Sequence, residues 1–127
     1  MWLYTTEGFY SIVQDRNNAS RLMVRARDLN DLRNFRHRLR DANPDDRVDI
    51  VETVNADYLY RLFAPRQDVM RVVGDLTCSI DYDNYKNAVS IVQGHERASI
   101  YMRVWSAMVD LQKPWRDRLF GWESHQN

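Results

Sequence analysis

The densest group of side chains able to do chemistry is Ile80-Asp81-Tyr82-Asp83-Asn84-Tyr85-Lys86, where Asp81, Asp83 and Asn84 offer oxygen ligands suited to a hard cation. A calcium loop also requires a turn glycine and an acidic twelfth-position ligand. Neither follows, so turn formation and helix capping are the better account of these residues. Asp57 and Arg61, together with Asp81, Asp83 and Lys86, form the polar cluster from which an unrecognised active site would be assembled if the fold gathers them. His37, His95 and His125 stand far apart, none at a metal-ligand spacing with a Cys or a carboxylate. Cys78 falls among apolar residues at helical spacing, with no neighbouring base, and reads as a small packing residue and not a nucleophile. The nucleophile-elbow, phosphate-loop, dinucleotide and His-Glu-x-x-His patterns are all missing from the sequence. The expectation is of no catalytic residues, no metal and no cofactor.

Charge is more informative locally than in bulk. Eighteen basic and eighteen acidic residues cancel, which argues against a partner held mainly by long-range charge, such as duplex DNA or an anionic membrane. Between Arg21 and Arg40, however, seven Arg face two Asp, a net of +5, whereas Asp45 to Asp57 carries five acids against Arg47, a net of −4. Cations toward the end of a helix are favoured by its dipole, which explains part of the first cluster. The functional alternative sets Arg25, Arg27 and Tyr58 on an open sheet face with Arg33, Arg36 and Arg40 on the following helix, so that bases stack and phosphates pair with guanidinium groups.

These residues need elements to position them. Trp2–Thr6 and Phe9–Val13 are β structure around Glu7-Gly8, either a tight turn or a bulge in one long strand. After a polar connection at 15–20, Leu22–Arg27 alternates with Leu22, Val24 and Ala26 on one side and Met23, Arg25 and Arg27 on the other. Asp28 or Asn30 caps a helix whose Leu29, Leu32, Phe35 and Leu39 form one apolar stripe, and Asn43-Pro44-Asp45-Asp46 stops it. A second unit repeats the plan: Val48–Glu52, a turn near Asn55-Ala56, Tyr58–Phe63, then a helix that opens with Pro65 and buries Val69, Val72, Val73, Leu76 and Ile80. A short helix or turn at Ala88–Val92 and Gly94 precede a final helix over His95–Gln112. Its Ala98, Tyr101, Val104, Trp105, Met108 and Leu111 must lie on something apolar. The pattern specifies an α+β fold, an antiparallel sheet with helices on one face in permuted ferredoxin-like ββαββα order plus an additional C-terminal helix, with residues 1–112 as one domain.

Beyond Gln112, Lys113-Pro114 breaks the helix, and Trp115, Leu119 and Trp122 recur at i, i+4 and i+7 with Phe120 beside them. A tail of 113–127 is too short to fold alone and must dock, on its own domain, a second copy or another protein. Trp115, Leu119, Phe120, Trp122, Tyr101 and Trp105 are accordingly the expected partner-binding residues, of types that dominate interface energies.

The segments Met1-Trp2-Leu3-Tyr4-Thr5-Thr6-Glu7-Gly8-Phe9-Tyr10-Ser11-Ile12-Val13-Gln14, Leu22–Arg27, Ala56-Asp57-Tyr58-Leu59-Tyr60-Arg61, Ile80–Lys86 and Tyr101-Met102-Arg103-Val104-Trp105-Ser106-Ala107-Met108 together resemble a group of small uncharacterised bacterial proteins also carried by bacteriophages. The resemblance covers about residues 1 to 112 and implies no activity. The stretch after Gln112 departs from it. The sequence-level expectation is thus a non-enzymatic interaction or regulatory module of a bacterium or bacteriophage, with a protein partner or a homodimer. Binding of single-stranded nucleic acid is the alternative. A single Cys and no apolar run of membrane-spanning length point to the cytoplasm and to no membrane partner.

Overall fold

The computed structural model describes residues 1–45 and 47–112. The chain divides into two compact units, Met1–Asp83 and one beginning at Asn84.

The first unit is built on a five-stranded antiparallel sheet: β1 (Trp2–Tyr4), β2 (Phe9–Asp15), β3 (Asn18–Ala26), β4 (Val51–Glu52) and β5 (Tyr60–Pro65), ordered β1-β2-β3-β5-β4. Helices α1 (Leu29–Ala42) and α2 (Arg66–Cys78) follow β3 and β5. Within that order, β2-β3-β5-β4 is the arrangement a permuted ββαββα chain requires, because β5 enters antiparallel between β3 and β4. The α+β fold is therefore as expected, with β1 added outside β2.

Glu7-Gly8 makes a turn and not a bulge. Thr5 closes it: its hydroxyl accepts from the N–H groups of Glu7 and Gly8, each at 3.1 Å, and donates to the Gly8 carbonyl at 3.0 Å. The turn between β2 and β3 is tighter than the polar run suggested, since the Asp15 carboxylate accepts from the Asn17 N–H at 2.9 Å and β3 begins at Asn18. Asp28 caps α1 by accepting from the Asn30 N–H at 2.8 Å. Pro65 is the last residue of β5, paired with Arg21, and α2 starts one residue later than expected: at ψ 140° the proline is still extended. Only Val51 and Glu52 of the fourth predicted strand pair with β5, while Val48 leaves the ladder and enters the core. Asn55, at φ 68°, makes the expected turn.

Strand alternation decides which side chains meet α1 and α2. Tyr10 and Ile12 of β2, Val24 and Ala26 of β3, and Leu62 and Ala64 of β5 join Leu32, Phe35, Leu39, Val69 and Val72 of the helices in one cluster. Tyr10 satisfies its hydroxyl inside that core by donating to the Asp31 carbonyl at 2.8 Å, and its ring meets Phe35 edge-on at 5.0 Å.

In the second unit α3 (Tyr85–Gln93) and α4 (His95–Met108) flank Gly94, and a 3-10 turn (Val109–Gln112) continues α4. The short helix expected at Ala88–Val92 is present and longer, and the final helix begins at His95 as expected but is α-helical only to Met108. Asn84 caps α3 through its side-chain oxygen, which accepts from the Asn87 N–H at 3.0 Å. Val89, Ala98 and Tyr101 are buried, and the Tyr85 and Tyr101 rings stack with centroids 6.1 Å apart. The nine residues of α3 span about 13.5 Å and the fourteen of α4 about 21 Å, so the longer helix outruns its neighbour.

Candidate functional site

Alternate residues of each strand project from the sheet face opposite α1 and α2. Register places Trp2 and Tyr4 of β1 beside Ser11 and Phe9 of β2; Ser11 opposes Arg25 of β3, which in turn opposes Arg61 of β5. Met23 lies between Val13 and Phe63, and Arg21 and Arg27 extend the β3 row at either end. The face therefore carries Arg21, Arg25, Arg27 and Arg61 beside Trp2, Tyr4, Phe9 and Phe63. Neither helix of the unit contributes to covering it, since both pack on the alternate residues.

Tyr58, just before β5, organises the arginines. The guanidinium carbons of Arg25 and Arg27 each lie 4.7 Å from its ring centroid, within cation–π distance. Its carbonyl accepts from Arg61 Nη2 at 3.1 Å, and the carbonyl of Asp57 next to it accepts from Arg27 Nε at 3.2 Å. Arg25 Nη2 also donates to Ser11 Oγ at 2.6 Å. The aromatic residues form a contiguous group on the β1 side: Tyr4 stacks on Phe9 at 4.5 Å, Trp2 meets Phe9 edge-on at 6.3 Å, and Phe9 lies 6.4 Å from Tyr58. Burial pushes the Tyr4 phenol above its ordinary pKa, with Tyr58 adding to the effect and Arg27 opposing it.

Electrostatically the face is basic and unbalanced. Asp15 reaches Arg21 at 3.7 Å, but among the described residues no carboxylate comes within ion-pair distance of Arg25, Arg27 or Arg61. Arg25 and Arg61 are only half-buried and Arg27 is exposed. Trp2, at 67% exposure, presents its indole to solvent.

The structure gathers some sequence-selected residues and separates others. Arg25, Arg27 and Tyr58 do meet, but Tyr58 is 4% exposed, so its ring positions guanidinium groups and is not a platform for a base. Arg33, Arg36 and Arg40 belong to α1, on the other side of the sheet. Arg33 and Arg36 there line a cavity of about 280 Å³ with Leu29, Ile50, Glu52 and Tyr60. They do not extend the Arg25–Arg27 surface.

Of the polar cluster, Arg61 joins the sheet face, whereas Asp57, Asp81, Asp83 and Lys86 are exposed, Lys86 on α3 in the second unit. No group of three potential metal ligands occurs among the described residues. Tyr101 is a buried member of the α3–α4 pair, where its hydroxyl accepts from Arg97 Nη1 at 3.1 Å, and it is not an open partner residue. Trp105 is 64% exposed. Trp115, Leu119, Phe120 and Trp122 lie outside the described residues.

Trp2, Tyr4, Phe9, Ser11, Arg21 and Phe63 were not selected from the sequence as site residues. Their signal was present in the alternation of β1, β2 and β5, but it became a face only once pairing register aligned them with Arg25. No helix of the described residues is long and apolar enough to cross a membrane. Against known protein families, curated proteins and solved structures, the chain matches none.

Proposed function

We propose that the chain binds single-stranded nucleic acid on the open face of its sheet, in the cytoplasm of a bacterial cell and encoded by the bacterium or a bacteriophage. The observation that carries this reading is the juxtaposition of guanidinium groups that have no carboxylate partner among the described residues with the exposed Trp2 and its aromatic neighbours. Phosphates pair with the arginines of β3 and β5, and a base stacks on Trp2, an interaction every base can make. A duplex, with its bases enclosed, gains only the phosphate term. The neutral total charge fits a ligand recognised by this local surface and not by a long-range field.

Fluorescence anisotropy with labelled oligouridylate and oligothymidylate tests the reading. Binding is expected at low salt, weakening with a log–log slope of about −0.7 per phosphate contacted. Arg27→Ala should weaken binding for all sequences and flatten that slope by about 1. Absence of binding at low salt would falsify the reading.

A second reading, a non-enzymatic protein-interaction module, is supported by a different observation. Trp105 and Met108 continue the α4 stripe of Ala98 and Tyr101 beyond the end of α3, at 64% and 56% exposure, and Leu111 follows. The partner in this reading is a second copy. A two-fold axis between Trp105 and Met108 sets each indole against the thioether of the other chain, a favourable self-complementary contact. Sedimentation velocity over a range of concentrations decides it: Trp105→Glu should abolish a dimer formed by the unaltered chain, and a monomer at every concentration dismisses it.

A further inference from the structure

A cavity of about 280 Å³ lies between α1 and the β4 margin of the sheet, on the side opposite the aromatic face. Leu29, Arg33 and Arg36 line it from α1, where positions i, i+4 and i+7 share one side of the helix. Glu52 and Tyr60 line it from β4 and β5; they are register partners and so project to the same side. Tyr60 also opposes Ala26, a core residue, which makes that side the one facing the helices. Ile50 and Tyr60 pack against the core and, with Leu29, give the cavity an apolar lining. Among the described residues, the side chains of Arg33, Arg36 and Glu52 make no hydrogen bond or ion pair, and Glu52 stays beyond ion-pair distance of both guanidinium groups. Arg33 is exposed and Arg36 half-buried, so both are open to a solute. Residues three apart on a helix have Cβ atoms about 5–6 Å apart, close enough for two cations to destabilise each other.

We infer that this cavity binds a purine nucleoside monophosphate, its phosphate on Arg33 and Arg36 and its base between Tyr60 and Glu52. A phosphomonoester carries nearly two negative charges and three terminal oxygens, which offset both arginines and serve both forks; a carboxylate has one charge and serves one fork. Glu52 only accepts hydrogen bonds and repels a phosphate, so it takes the opposite end of the ligand, an edge of N–H donors. Guanine presents two parallel donors there, N1–H and the N2 amino group, to the two carboxylate oxygens, whereas adenine presents its N6 amino group alone. A volume of about 280 Å³ lies at the lower limit of small-molecule sites and admits one nucleotide, not a strand. The site is separate from the open face of the sheet and does not depend on the strand-binding reading.

Isothermal titration calorimetry of the full chain with guanosine monophosphate, adenosine monophosphate and inorganic phosphate tests it. Guanosine monophosphate should bind about tenfold more tightly than adenosine monophosphate, the worth of one hydrogen bond to a charged group, and inorganic phosphate more weakly than either. Joint Arg33→Gln and Arg36→Gln substitution keeps helix-forming residues on an accessible side of α1. It should abolish the response with the melting temperature preserved, and Glu52→Gln should bring the affinity for guanosine monophosphate down to that for adenosine monophosphate. The inference is overturned if neither nucleotide binds, if the response survives the double arginine substitution, or if inorganic phosphate binds as tightly as the nucleotides. Equal affinities of the unaltered chain for the two nucleotides would overturn the placement of the base against Glu52.

Discussion

Gly8 is constrained by space. A Cβ there would sit 2.7 Å from Asp31 Cβ and Cγ and from Tyr10 Oη, and Asp31 cannot retreat without giving up the bond its carboxylate accepts from the Phe9 N–H at 2.9 Å. Gly8→Ala should therefore destabilise the protein by about 1–3 kcal/mol in urea unfolding. An unchanged midpoint would mean that the turn can shift away from α1 at no cost. Tyr4 makes a prediction in pH. Its folded pKa is raised above the ordinary value of 10.0, so the native state holds the phenolic proton more tightly than the unfolded chain does. Its contribution is complete below about pH 10 and is lost as pH rises from there through the folded value. Tyr4→Phe should flatten the alkaline fall in stability, measured by urea unfolding at a series of pH values. An equally steep fall in the variant would assign the effect to another group. Tyr58 illustrates why residue type alone misleads: sequence offers a tyrosine beside arginines, and only tertiary contact shows that its ring is already occupied by their side chains.

Among the elements, the hairpin of α3 and α4 should open more easily than the sheet. Its buried residues are Val89, Ala98 and Tyr101, while β3 and β5 share a core of Val24, Ala26, Leu62 and Ala64 with two helices. Native-state hydrogen exchange should give opening free energies for α3 and α4 amides below those of β3 and β5; equal values would contradict the difference in packing. Most of these elements were legible in the chain. The Leu29, Leu32, Phe35, Leu39 stripe specified α1, and alternation in Leu22–Arg27 specified both the core and the open side of β3. Three details were not legible. Pro65 has dihedral angles acceptable to either a strand end or a helix start, and β-pairing with Arg21 chose the first. Val48–Ile50 has strand-forming residues, but Val48 gains more from burial at 5% exposure than from a ladder bond at the sheet margin. The face itself depended on register, a long-range property that periodicity within one strand does not contain.

At the scale of the whole molecule, the cancellation of eighteen charges by eighteen conceals a strongly uneven distribution. The Arg-rich segment from Arg21 to Arg40 splits between two sides of one sheet, so a single run in sequence supplies two separate basic surfaces. Only the β3 portion shares its sheet face with the exposed indole of Trp2, so the proposed binding of unpaired bases belongs to that side. The outermost strands have a consequence for behaviour at high concentration. β1 has three residues and β4 two, and β4 pairs only Tyr60 and Arg61, so the outer side of β5 from Leu62 to Pro65 lies outside that ladder. Fibril growth by strand addition needs a long unpaired template, and Pro65, which has no N–H to donate, shortens the one offered there. Crowding this protein should consequently favour amorphous or helix-mediated clustering over cross-β assembly.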